Sequence, residues 1–161
     1  MKAGDHRFVS SARALAEFVA AWEACALTKS EFTHAAHVAV GAYYAVMHPS
    51  TAFERMKSGL IRFNESVGGV NSETSGYHET ITRLWIEVLA KFVATNGFTD
   101  PWEAACAAVT EFGEARDLHR LYYSFDVLRS VEARRRWVPP DLMAEGSGTI
   151  ERIPEKKPGL C

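Results

Sequence analysis

Apolar side chains recur at helical spacing along most of the chain, and the breaks between them divide it into segments. Leu15, Phe18, Val19 and Trp22 form one stripe behind Ser10 or Ser11, which predicts a capped first helix to about Ala26. Thr28 or Ser30 can cap a second helix from about Glu31 to Met47, ended by His48-Pro49. Thr51 and Glu54 have capping-box spacing and open a third, which carries Phe53, Met56, Leu60, Ile61 and Phe63 and stops at Gly68-Gly69. Turn formers fill 68–76. A fourth helix then runs to about Thr95, with Ile81, Leu84, Trp85, Val88, Leu89 and Phe92 on its stripe, and Asn96-Gly97 closes it. Thr99-Asp100-Pro101 starts a fifth, which includes Trp102 and Ala105 to Phe112. Shorter helices are expected over 118–123 and 130–137, the latter stopped by Pro139-Pro140. No alternating run is long enough for a strand.

The expected fold is an all-α, single-domain up-down helical bundle over 1–142, with about five main helices and shorter C-terminal ones. The pattern fades from about Met143, through Gly146, Ser147, Gly148 and Glu155-Lys156-Lys157-Pro158, so 143–161 is expected to be a mobile or surface-draped tail. Short connections make successive helices antiparallel, which puts the starts of the second and fourth at the same end.

At 161 residues, 47% hydrophobic and 24% charged, the chain reads as one soluble globular domain. A formal charge of −2 argues against a nucleic-acid partner. No stretch approaches the roughly 18 consecutive apolar residues of a membrane span. Arg13 and Glu17 interrupt the first apolar region, so no signal peptide is expected. Cys25, Cys106 and Cys161 are distant and odd in number, which fits a reducing cytoplasm. Trp22, Trp85, Trp102 and Trp137 are many for one small core and raise a homodimer as an expectation.

One constellation points to chemistry. His34 and His37 are three apart, and with Glu31, Gly41 and Tyr44 they define one helix face. Gly41 in a helix interior suggests that a neighbouring helix or a ligand comes close. His78, in Tyr77-His78-Glu79-Thr80, heads the inward stripe of the fourth helix. If the two helix starts meet, His34, His37 and His78 are expected to bind Zn or Fe, with an open position for a small-molecule substrate. Glu79 or Glu31 would add a ligand or a general base. The alternatives are a metal-free His/Glu acid–base enzyme using His78, Glu79 and Glu31, and a small-ligand binding or assembly protein. Only one Glu-x-x-His motif is present, Glu31 to His34, too few for a di-iron carboxylate centre.

Asn64, Tyr44, Tyr77 and Arg134 are expected substrate contacts, Arg134 as a carboxylate clamp. The 68–76 loop is a candidate lid, and its glycines match no phosphate-binding fingerprint. His119, beside Arg116, Arg120 and Tyr122, is a further pocket candidate.

Phe32-Thr33-His34-Ala35-Ala36-His37, Tyr77-His78-Glu79-Thr80-Ile81-Thr82 and Trp137-Val138-Pro139-Pro140-Asp141-Leu142 together resemble a family of small, all-helical bacterial proteins marked by HxxH and YHET motifs. The likeness spans about residues 28 to 142. It implies that the two histidine clusters belong to one site, and it implies no particular reaction.

Overall fold

Six α-helices form within residues 6–142, the part of the chain that the computed structural model describes. They are α1 (Ala12–Glu23), α2 (His34–Met47), α3 (Ala52–Ser66), α4 (Glu79–Asn96), α5 (Pro101–Phe112) and α6 (Val131–Arg135). Single 3-10 turns occur at Arg7–Val9, Leu118–Leu121 and Val127–Arg129, and no strand occurs among the described residues. The expected tail over 143–161 lies outside them.

Most helices start where a side-chain oxygen takes up an orphan N–H of the first turn. Ser11 accepts from Ala14 N at 3.0 Å, Asp100 from Glu103 N at 2.8 Å and Ser130 from Ala133 N at 3.1 Å. The start of α2 differs from expectation. Glu31 folds back to accept from both the backbone N–H and the hydroxyl of Thr28, each at 2.7 Å, and so shapes a turn. The helix therefore begins at His34, with Thr33 as its cap. The capping box at Thr51 does not form either, because the Thr51 hydroxyl accepts from Arg55 Nε instead.

The end of α1 is also earlier than the spacing predicts. Cys25 N–H reaches Trp22 O and Ala26 N–H reaches Ala21 O, the paired closure of a Schellman end. Cys25 thereby adopts φ 54°, the left-handed region that costs an L side chain roughly 1–2 kcal/mol. Replacing it with glycine is expected to raise the unfolding free energy by about 0.5–1 kcal/mol, the strain relieved less the extra chain entropy. Urea denaturation at unchanged m-value would measure the gain, and equal or lower stability would refute the account.

Helix α2 is the axle of the bundle. Its alanines 35, 36, 39 and 42 and the alanines 104, 105 and 108 of α5 are all buried. Small residues let two axes approach closely, and α2–α5 is the most extensive helix contact in the fold. His34, at the start of α2, meets Phe112 at the end of α5, so these two helices are antiparallel. On the α4 side, Leu89 occupies the space over Gly41, where an added Cβ would lie 2.5 Å from Leu89 Cδ1. His34 meets Trp85 and Gly41 meets Leu89, so α2 and α4 run the same way with their starts at one end. Leu84 and Phe92 of α4 are fully buried, each contributing about 1.5–3 kcal/mol.

All four tryptophans find their surroundings within one chain. Trp22 is core, Trp85 stands edge-on to His34, Trp102 donates to Val9 O, and Trp137 lies under Arg83. Their number therefore does not itself call for a second copy. Among the described residues no helix is long and apolar enough to cross a membrane.

Candidate functional site

Between α2, α3 and α4 runs a cleft whose two lobes share His37, Leu60, Ile81 and Thr82. The inner lobe, about 300 Å³, is walled by His34, Val38, Met56, Trp85, Ile86 and Leu89. The outer lobe, about 370 Å³, opens past Lys29, Phe32, Asn64, Tyr77 and His78. Five of the residues predicted from sequence, His34, His37, His78, Asn64 and Tyr77, thus line one cleft.

Two imidazoles there share an arrangement. His34 Nε2 lies 3.1 Å from Phe112 O, and His37 Nδ1 lies 2.7 Å from Thr33 O. A carbonyl only accepts, so both ring nitrogens carry the proton. This leaves His34 Nδ1 and His37 Nε2 as bare acceptors. The rings are held in place by aromatic contacts: Trp85 is 5.1 Å from His34, and Phe32 is 4.0 Å from His37, between ring centroids.

Both rings stay neutral at pH 7. Desolvation lowers the His34 pKa, against the opposing pull of the Phe112 carbonyl. His37 opens partly onto the cleft, yet protein surrounds its ring, and desolvation takes its pKa down to about 4, with His34 adding a little. An unfolded His37 binds its proton below about pH 6.5, whereas the folded one does so only near pH 4. Stability is therefore complete above that window and falls as pH drops through it, by about 3 kcal/mol for this residue alone. Urea midpoints measured across the window should show the fall in wild type, and a flat profile would contradict the burial.

His78 serves a different purpose. It is the N-cap of α4: its Nδ1 accepts from Ile81 N–H at 3.3 Å, and its Nε2–H donates to Val127 O at 3.0 Å. Both nitrogens are engaged, leaving no lone pair for a metal. The expected three-histidine set for Zn or Fe is therefore not assembled. Among the described residues no three His, Cys, Asp or Glu side chains group as a metal ligand set. The cause is local, since a histidine at the cap position turns back onto its own helix end.

The other predicted residues are held mainly by structural contacts. Glu79 pairs with Lys57 Nζ at 2.8 Å and accepts from Tyr77 OH at 3.0 Å, while Lys57 also lies over the Phe53 and Tyr77 rings. It braces α3 against α4 and is not a free base. Glu31 sits in the exposed turn before α2 and lines neither lobe of the cleft. Tyr44 donates to Glu23 at 2.6 Å, toward α1. Desolvation and then Glu23 push its hydroxyl pKa up.

Asn64 donates to Asn71 Oδ1, which also accepts from Tyr77 N–H. Arg134 gives its donors to the carbonyls of Gly76, Tyr77 and Leu128. It is a rivet between loop and C-terminal segment and does not act as a clamp. Arg135 pairs with Glu73 at 2.8 Å, so the 68–76 loop is tied at several points and is not a free lid. Among the cleft residues, sequence reasoning assigned no ligand contact to Trp85, Leu60, Thr82 or Lys29. Thr82, a buried polar residue on an apolar stripe one turn after His78, was the available signal.

Comparison of the chain with protein-family models, with curated proteins and with solved structures returned no match.

Proposed function

We propose that the cleft binds a small, mainly apolar molecule bearing a hydrogen-bond donor, such as a hydroxyl or N–H group. The observation that carries this is the pair of neutral imidazoles on one apolar wall, each with one nitrogen fixed on a carbonyl and the other bare. An apolar ligand body would be desolvated against Val38, Met56, Leu60, Trp85, Ile86 and Leu89. Its donor would find a bare nitrogen already oriented, at no cost in side-chain ordering. On this reading the HxxH pair lines the site and the YHET segment builds its mouth.

Binding is favoured over acid–base catalysis by one property of His37. A group whose pKa lies near 4 is a weak base at neutral pH, and general bases work best near the operating pH. The test compares phenol with toluene, which differ by one donor, using calorimetry and the histidine ring resonances. Phenol should bind about tenfold tighter and perturb His37 and His34. Equal binding, or none, would overturn the proposal. So would near-stoichiometric Zn or Fe in untagged protein that disappears in His34→Ala.

A further inference from the structure

A second cavity lies against the C-terminal segment and shares no wall residue with the histidine cleft. Its walls are His119, Arg120, Tyr123, Ser124, Phe125, Asp126, Leu128, Arg129 and Leu142, around about 640 Å³. Two independent observations mark it. The first is His119, only 6% exposed, whose ring has no hydrogen-bond partner among the described residues. The one sealed, unpartnered side-chain atom among those residues is Trp22 Nε1, so the His119 nitrogens open onto accessible space. A buried polar group left without a protein partner calls for a ligand or solvent.

The second is an accumulation of exposed apolar surface. Seven large hydrophobic side chains are exposed among the described residues, and five of them, Leu121, Phe125, Leu128, Val131 and Leu142, fall within 121–142. Apolar surface gathered beside a cavity marks a binding site more often than scattered single residues do.

The polar groups define the ligand. Tyr123 OH is engaged with Val138 O, and Ser124 donates from both its N–H and its hydroxyl to Asp141. Asp126 accepts from Arg129 N and lies 3.6 Å from Arg129 Nε. Arg120 is the cation with most to give, since its contact to Asp117 is long, 3.9 Å, and exposed. The groups left for recognition are thus donors, the Arg120 guanidinium and the His119 ring, flanked by Phe125, Leu128 and Leu142.

We infer that this cavity binds an amphiphilic anion, a small carboxylate carrying an aliphatic or aromatic group. The carboxylate takes a two-pronged contact from Arg120 and a hydrogen bond from His119, and the apolar part covers Phe125 and Leu128. The test titrates full-length, ¹⁵N/¹³C-labelled protein with octanoate and with octan-1-ol, following the ring signals of His119 and His37 separately. Octanoate should shift His119, bind about tenfold tighter than the alcohol, and lose that advantage in Arg120→Gln, an exposed position where folding is unaffected. Equal binding of acid and alcohol would reduce the site to an apolar patch and overturn the inference. So would octanoate shifts at His37 with none at His119, or an octanoate affinity unchanged in Arg120→Gln. Because His37 reports the other cleft, failure here is distinguishable from failure there.

Discussion

Gly59→Ala is expected to lower the unfolding free energy by about 2–3 kcal/mol, although alanine is the better helix former by about 1 kcal/mol. Gly59 of α3 faces the six-membered ring of Trp22 on α1, and an added Cβ would overlap that ring, with Trp22 Cζ2 2.8 Å away and Cζ3 2.9 Å away. The ring cannot step aside. Trp22 is 1% exposed, stacks on Phe32 at 5.1 Å and contacts Tyr44 at 6.0 Å. A close-packed interior transmits such an overlap to its neighbours, so α1 and α3 must separate. Urea denaturation reads the loss, and Trp22→Leu provides the cross-check. The double variant should be more stable than the sum of the single effects predicts, by at least about 1 kcal/mol, because the leucine vacates the contested volume. Additive effects would show that Gly59 is not where the two helices limit each other.

His37→Leu carries the second large effect, and it has two signatures. Phenol should lose much of its advantage over toluene, since one of the two bare nitrogens is gone while His34 Nδ1 and the apolar lobe remain. The variant should also escape acid destabilisation. Near pH 5 wild type has lost about 2 kcal/mol through this residue, so leucine should close or reverse any deficit it shows at neutral pH. At neutral pH the change should stay within about 1 kcal/mol, because the only hydrogen bond removed is the local one to Thr33 O. A variant that loses phenol binding but keeps the wild-type acid profile would separate the two roles and count against a buried, neutral His37.

The bundle was legible because its helices are amphipathic and several of their ends carry strong signals. Ser11, Asp100-Pro101 and Asn96-Gly97 act as their residue types suggest, with Gly97 in the left-handed conformation. The expected closeness of the α2 and α4 starts also followed from short connections, and Gly41 is approached by Leu89 as its presence in a helix suggested.

The parts that were not legible depend on contacts that spacing does not encode. Three hydroxyl residues, Thr28, Ser30 and Thr33, compete to cap α2, and the outcome rests on where the Glu31 carboxylate turns. Histidine is an unusual cap, so a periodic reading placed His78 as an inward ligand when both its nitrogens were already in use. Tyr44 shares the angular face of His37 but stands two turns further along α2, roughly 10 Å, where the neighbour is α1 and no longer the cleft. Arg134 was expected as a carboxylate clamp because its three carbonyl acceptors come from distant or irregular segments that spacing does not reveal.

The central placement of α2 has a consequence for how the protein opens. Nine of its fourteen residues are buried, and α3, α4 and α5 all pack on it. No fluctuation confined to one flank can release its middle amides, because the other flanks still cover them. Deuterium should therefore enter at Val38 to Ala42 only through global unfolding, and those amides would report the full stability of the domain, while the short helix α6 exchanges through smaller openings.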